Sequence, residues 1–265
     1  MIYIADSTFN SIKLNPYDRN NPYTDKWILL RLIHDDSFFQ CTRGGMDEVF
    51  QLILTKKTDD WRYRVMDFIQ YETKVGKNMI ISINSNDFFE AESVYDNHTY
   101  KDRTLRDYER PILVHSTTQE NYRAICNSGF LKSWNRLKSE GAIKEEKPIG
   151  SLLGDPEDYR DYIMFGNGGY FCEIVTSSRQ KGYIEMNPDA EYVAGARMYF
   201  DAAKIAADGQ LIRDGAHMKV KDILSLEYLL WVATPSCLSV SERTTPRTFA
   251  RLADSAFEEK INVRL

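Results

Sequence analysis

The chain has 265 residues, 43% of them hydrophobic and 12% aromatic, with 8 prolines and a formal charge of −5 at pH 7. That is enough apolar material for one large or two small domains and excludes a disordered chain. The sequence has no run of about 18 apolar residues, so no membrane-spanning helix is expected, and the acidic balance supplies no global basic field for nucleic acid.

The opening stretch, Met1-Ile2-Tyr3-Ile4-Ala5-Asp6, lacks the basic start and long apolar run of a secretory signal, so a cytoplasmic protein with no membrane partner is expected. Residues 15–25 contain Asn-Pro twice among turn formers and read as an irregular segment. Cys41, Cys126, Cys172 and Cys237 are far apart, with no C-x-x-C pair and no clustered histidines, so no metal is expected and the cysteines read as mostly buried thiols. From Gly45 on, Met46, Val49, Phe50 and Ile53 recur at helical spacing. After Asp59-Asp60, Trp61, Val65, Phe68 and Ile69 predict a second helix. Residues 79–83 read as a buried strand, and the charged stretch 96–110 as a connector or exposed helix.

A boundary near residue 108 divides an N-terminal α/β region, 1–107, from a C-terminal domain, 108–265. In the latter, strands are expected at 111–115, 169–175, 196–202, 217–222 and 226–234. Between the first two lies a helix: Thr117 and Glu120 have capping-box spacing, Tyr122 and Ile125 share a face, and Gly129 is placed as its left-handed stop. The polar stretch 132–162 reads as an insertion or a flap over a site. The fold class expected is α+β, with a mostly antiparallel sheet.

Two segments carry chemistry. His115 closes an apolar strand just before a helix start, where it either satisfies a local carbonyl or faces a ligand. Glycines 166, 168 and 169 let a flat ligand approach the backbone, and Tyr170 offers it a π face; the alternative is a bulge with a core tyrosine.

Together these segments resemble the poly(ADP-ribose) polymerase branch of the ADP-ribosyltransferases. The first motif is Val114-His115-Ser116-Thr117 with Gly129-Phe130-Leu131. The second is Phe165-Gly166-Asn167-Gly168-Gly169-Tyr170-Phe171, followed by the hydroxyl run Thr176-Ser177-Ser178. The late strands are His217 to Asp222 and Leu226 to Leu230. The resemblance covers about residues 110–234 and leaves the first hundred unexplained. It implies a split, mostly antiparallel sheet with short helices, and NAD as co-substrate. His115 would bond the adenosine ribose and the backbone at Ser116 the nicotinamide amide. Thr117, Gly169, Tyr170 and Phe171 would line the cleft, and Ser178, or Ser177 in a slipped register, would donate to the amide oxygen. Lys181 stands where the family's second stacking aromatic belongs, with Tyr183 the nearest replacement.

His217 occupies the place of the family's catalytic glutamate. A carboxylate there stabilises the positive charge that builds on the ribose as its bond to nicotinamide breaks. Neutral imidazole serves as a base but brings no negative charge. Asp214 either swings in as that carboxylate or, like His217, is a turn residue. The resemblance implies transfer of a single ADP-ribose to a macromolecule, nucleic acid or protein, by an intracellular toxin or defence effector with an antitoxin or inhibitor as partner. The alternatives are an inactive NAD or ADP-ribose binding module and an RNA 2'-phosphotransferase. For the phosphotransferase, Arg179, Arg197 and Arg213 are the available phosphate ligands; Arg103, Arg106 and Arg110, just before the His115 strand, either meet the phosphates of a nucleic-acid acceptor at the cleft entrance or form a solvated charged face.

Overall fold

The computed structural model describes residues 1–16, 21–24, 26–35, 40–45, 48–96, 103–166 and 168–265. Met46, Asn167, parts of the 15–25 and 96–110 stretches and the side chain of Cys41 therefore lie outside the described residues. The chain forms two compact units. The first comprises Met1–Tyr100, Gly150–Asp158 and Arg213–His217, and the second Lys101–Ile149, Tyr159–Ile212 and Met218–Leu265.

In the first unit, β1 (Ile2–Ala5), β2 (Trp27–Ile33), β3 (Gln40–Gly45), β4 (Glu48–Thr55) and β5 (Asn78–Ser82) form one sheet in the order β1-β5-β2-β4-β3. All its pairings are parallel except β3 with β4. Helix α1 (Trp61–Lys74) buries Trp61, Val65, Phe68 and Tyr71 at helical spacing, and α2 (Ser85–Asp96) packs on it. Phe9, Ile12, Tyr23 and Trp27 pack against Ala5, Leu29, Val49 and Ile80. The helix expected around Val49, Phe50 and Ile53 is strand β4. Leu52 and Leu54 are buried as well, so the run is apolar at nearly every position, as a strand covered on both faces requires. The helical spacing was a subset of a continuous pattern.

Two later segments belong to this unit because their partners are in it. Tyr71 Oη donates to Asp158 at 2.6 Å and Arg64 Nη1 to the Gly215 carbonyl at 3.2 Å. Gly215 has φ +83°, and a Cβ there would lie 2.4 Å from the Arg64 oxygen. The 107/108 division thus omits two strips that fold with the N-terminal region.

The second unit holds β6 (Ile112–Thr117), α3 (Gln119–Ser128), β7 (Phe130–Lys132), α4 (Trp134–Ser139), β8 (Tyr162–Met164), α5 (Phe171–Lys181) and β9 (Tyr192–Val193). There follow β10 (Ala196–Asp201), α6 (Ala202–Ala207), β11 (Leu211–Arg213, whose last residue is grouped with the first unit), β12 (Met218–Lys221), β13 (Ile223–Ser225), β14 (Leu229–Ala233), α7 (Pro235–Leu238), β15 (Arg243–Thr244) and α8 (Pro246–Ile261). The strands make small sheets ordered β14-β10-β6, β11-β12-β8, β13-β7 and β15-β9. The registered pairs β10–β14, β10–β6, β12–β8, β13–β7 and β15–β9 are all antiparallel. The fold is therefore mixed α+β with several small sheets.

Helix α3 is capped by Thr118, whose side chain accepts from Asn121 N–H, and not by Thr117, because β6 runs on through Thr117 opposite Ala196. Gly129 at φ +76° ends the helix as expected. The stretch expected as a strand at 169–175 is the start of helix α5. Glu173, Ile174, Ser177 and Ser178 are buried at helical spacing, while Phe171 and Val175, one turn apart, are exposed. Cys126 and Cys237 are exposed and Cys172 is half-buried, against the expectation of buried thiols. Cys237 sits at the start of α7, where its sulfur accepts from Thr234 N–H at 3.0 Å. No helix of the described residues is long and apolar enough to cross a membrane.

Candidate functional site

Three consecutive residues of β6 tie the first motif to the second. Val114 N–H donates to Gly166 O at 2.8 Å and Val114 O accepts from Gly166 N–H at 2.9 Å. His115 Nδ1 lies 3.2 Å from Met164 O. Ser116 Oγ donates to the Glu173 carboxylate on α5. Segments some fifty residues apart in sequence are thereby held side by side within one unit.

A carbonyl only accepts, so the Met164 contact puts the imidazole proton on Nδ1 and leaves Nε2 as an acceptor. Burial holds the His115 pKa below its ordinary value, and Arg179 adds to this, against the opposing pull of the Met164 bond. The ring meets Phe165 edge-on, with centroids 6.1 Å apart. The strand-end histidine does satisfy a local carbonyl, and it does so with only one of its two nitrogens.

Strand β6 is the outer strand of β14-β10-β6, and its free edge is where Gly166 bonds Val114. Backbone groups alternate sides along an antiparallel strand, so Ser116, two residues on, points its N–H and C=O to the same edge. Among the described residues no backbone partner meets them there. Ser116 thus presents one donor and one acceptor side by side, with its hydroxyl tied back to Glu173. Thr117, the next residue, is buried. Its carbonyl is closely approached by Gly195, where an added Cβ would lie 2.1 Å from Thr117 O.

The glycine turn has Gly168 at φ +103° and Gly169 at φ +68°, conformations that L side chains rarely adopt. Gly169, Tyr170 and Phe171 line a cavity of about 420 Å³ together with Arg110, Asp254 and Glu258. Tyr170 and Phe171 rings lie 5.0 Å apart, and the Arg247 guanidinium sits 5.2 Å from the Tyr170 ring centre. His115 does not line this cavity; it joins the turn through the backbone contacts above.

Beneath the turn lies a charged cluster that sequence reasoning missed. Arg197 on β10 is fully buried, yet bonds Asp254 at 2.8 and 3.1 Å, Glu173 at 3.3 Å and the Gly169 carbonyl at 2.9 Å. Tyr192 Oη donates to Glu173 at 2.6 Å and Tyr199 Oη to Asp254 at 2.9 Å. Burial pushes the Glu173 carboxyl above its ordinary value, against the pull of Arg197 and the two hydroxyls. The available signal was Arg197 itself, a charge inside the apolar run 196–202, which requires buried partners.

The hydroxyl run lies on the second turn of α5. Ser178 Oγ is engaged by the Glu185 N–H at 2.9 Å. Thr176 bonds the Cys172 carbonyl at 3.2 Å. Ser177 is fully buried, its Oγ has no hydrogen-bond partner among the described residues, and it does not line the cavity at the glycine turn. Tyr183 is exposed just after the helix.

Asp214 and His217 fall in the first unit, whereas His115, Ser116 and Tyr170 fall in the second. Asp214 is buried and its Oδ1 accepts from the backbone N–H of Ala216 at 2.9 Å and of His217 at 2.6 Å, while its Oδ2 lies 3.5 Å from His217 Nδ1. That is the turn-residue alternative.

The basic run is not one solvated face. Arg106 is buried with Nη1 2.9 Å from Tyr108 Oη, whereas Arg103 and Arg110 are exposed. Arg197 is committed to two carboxylates and Arg179 lies 3.9 Å from Glu145. Among the described residues no group of three or more His, Cys, Asp or Glu is placed to hold a metal. No family model matches the chain, and neither a curated protein nor a solved structure matches it.

Proposed function

We propose that the second unit is an NAD-binding domain of the ADP-ribosyltransferase kind. The observation that carries the reading is the open donor–acceptor pair at Ser116 beside the glycine turn. A primary carboxamide presents the complementary acceptor and donor, so the nicotinamide end of NAD is the ligand chemistry that suits it. Tyr170, lining the glycine-turn cavity, adds an aromatic face.

More particularly, the protein is a mono-ADP-ribosyltransferase. NAD supplies the ADP-ribosyl group and nicotinamide leaves. Nε2 of His115 accepts from a ribose hydroxyl, Ser116 orients the amide, and Tyr170 and Phe171 wall the site on the glycine-turn side. The acceptor is a macromolecule, nucleic acid in preference to protein, and the setting is that of an intracellular toxin or defence effector. Incubation of the full chain with NAD labelled in the adenylate and with cell extract tests this. Label is retained on a macromolecule, nicotinamide is released, and His115→Ala lowers both by at least about 100-fold. Absence of both products from the wild type refutes transfer.

A second reading, an NAD-binding module without turnover, is favoured by one observation: Asp214 is bound up in its own turn. Calorimetric NAD binding without nicotinamide release selects it. The 2'-phosphotransferase reading loses its main support, since Arg197 is buried against Glu173 and Asp254.

A further inference from the structure

Gly168 and Gly169, both at positive φ, are by themselves the least constrained stretch of backbone a chain can have. The structure ties them down at one point. The Gly169 carbonyl accepts from Arg197 Nη2 at 2.9 Å and the Gly169 N–H donates to Asp254 Oδ2 at 3.2 Å. The two side chains that do this are bonded to each other as a fork, Nε to Oδ1 at 2.8 Å and Nη2 to Oδ2 at 3.1 Å. The third nitrogen, Nη1, reaches Glu173, which takes the Ser116 hydroxyl. Arg197 also stands directly opposite Ser116 in the β10–β6 register. A single rigid guanidinium is therefore bonded towards both sides of the candidate site, towards Tyr170 through Gly169 and towards Ser116 through Glu173.

We propose that Arg197 and Asp254 are positioning residues that preset the glycine turn and fix the spacing between Tyr170 and the Ser116 edge, where a planar ring enters. The claim about the ring rests on the NAD reading above; the claim about the turn does not. Stability alone gives no reason for this arrangement, because well-packed apolar side chains in place of a buried ion pair are often as stable or more so. A charged fork holds one backbone residue by both its N–H and its C=O, which aliphatic packing cannot do.

Hydrogen exchange on the full chain reads the turn directly, and calorimetry with NAD and with nicotinamide reads the ring site. Asp254→Asn keeps shape but removes the charge, Arg197→Lys keeps charge but removes the fork, and Arg243→Ala removes an exposed ion pair to Glu191 while leaving the clamp and both Gly169 bonds intact. In Asp254→Asn and Arg197→Lys, amide exchange at residues 169–171 rises at least about 10-fold while β6 and β10 amides stay protected, and NAD and nicotinamide bind at least about 10-fold more weakly. Arg243→Ala changes neither by more than about two-fold. Should Arg197→Lys fail to fold, Asp254→Asn decides. Unchanged exchange at 169–171 in Asp254→Asn, or an equal rise across the whole second unit, overturns the proposal. Faster exchange at the turn with unaltered ligand affinity overturns its functional half. A wild type that binds neither ligand refutes the NAD reading and leaves the exchange measurement to judge the clamp.

Discussion

The two units are built on different kinds of core. In the first, the central strands β2, β4 and β5 bury Ile28, Leu29, Leu30, Leu32, Leu52, Leu54, Ile80 and Ile81. In the second, the strands are short and the largest fully buried side chains include Arg197 and Lys219. Lys219 Nζ sits 4.2 Å from the Tyr159 ring centre and 4.6 Å from that of Tyr162, and Arg197 sits among carboxylates. An aliphatic sheet tolerates repacking as long as volume is kept. A buried charge tolerates nothing that removes its partner, so it fixes atoms in place at an energetic risk. The first unit's central strands are aliphatic, whereas the second, beside an apolar core around Leu113, Met198 and Phe200, buries two cations, one of them where two sequence motifs meet.

This contrast is sharpest when each core is broken. Arg197→Leu strands Glu173 and Asp254 without their cation and should destabilise the second unit by about 3–5 kcal/mol, read by urea unfolding. Leu30→Leu-sized replacements such as Met should cost the first unit under about 1.5 kcal/mol in the same measurement. Equal losses would erase the distinction.

Tight backbone approaches come next. Gly195→Ala puts a methyl 2.1 Å from Thr117 O, and Gly215→Ala puts one 2.4 Å from Arg64 O at a positive φ. Each should cost about 1–3 kcal/mol. On the proposed NAD reading, only Gly195→Ala should also weaken NAD binding, since Thr117 follows Ser116.

A stabilising change is expected in the first unit. Burial raises the Asp155 carboxyl to about 6, with His217 pulling it down. Its folded value exceeds the unfolded one, so the folded state holds more protons between them and stability falls as pH rises from about 4 to about 6. Asp155→Asn should therefore gain about 1–2 kcal/mol at pH 8, with no gain below pH 4. His115 runs the opposite way. Its folded pKa is depressed, so the unfolded chain binds the extra proton and stability declines as pH drops below about 6.5. His115→Gln should flatten that decline in pH-dependent melts. Smallest of all, Arg243→Ala removes an ion pair to Glu191 in which both side chains are more than half exposed, and should change stability by under about 0.5 kcal/mol.

Legibility followed range. Strands β5, β6, β10 and β12 and helices α1 and α3 were readable because local periodicity and caps specify them. Strand β4 and helix α5 were exchanged for each other's type: β4 is apolar nearly throughout, and α5 carries aromatic and β-branched residues that favour strands. His115, Ser116 and Tyr170 were singled out through short motifs, and the structure holds the two motif segments side by side. The cluster beneath them was not, since Glu173 and Asp254 are 24 and 57 residues from Arg197 and no local pattern links them. Asp214 was readable either way, and only its bonds to Ala216 and His217 decided.

The two strips that return to the N-terminal sheet have a practical consequence. Scission of the backbone between residues 96 and 103 would not yield two independent bodies, because 150–158 and 213–217 would still be anchored by Tyr71 and Arg64 on the other fragment. The nicked halves should elute together until a denaturant loosens α1, and a C-terminal half expressed alone would have to fold with both strips unmoored.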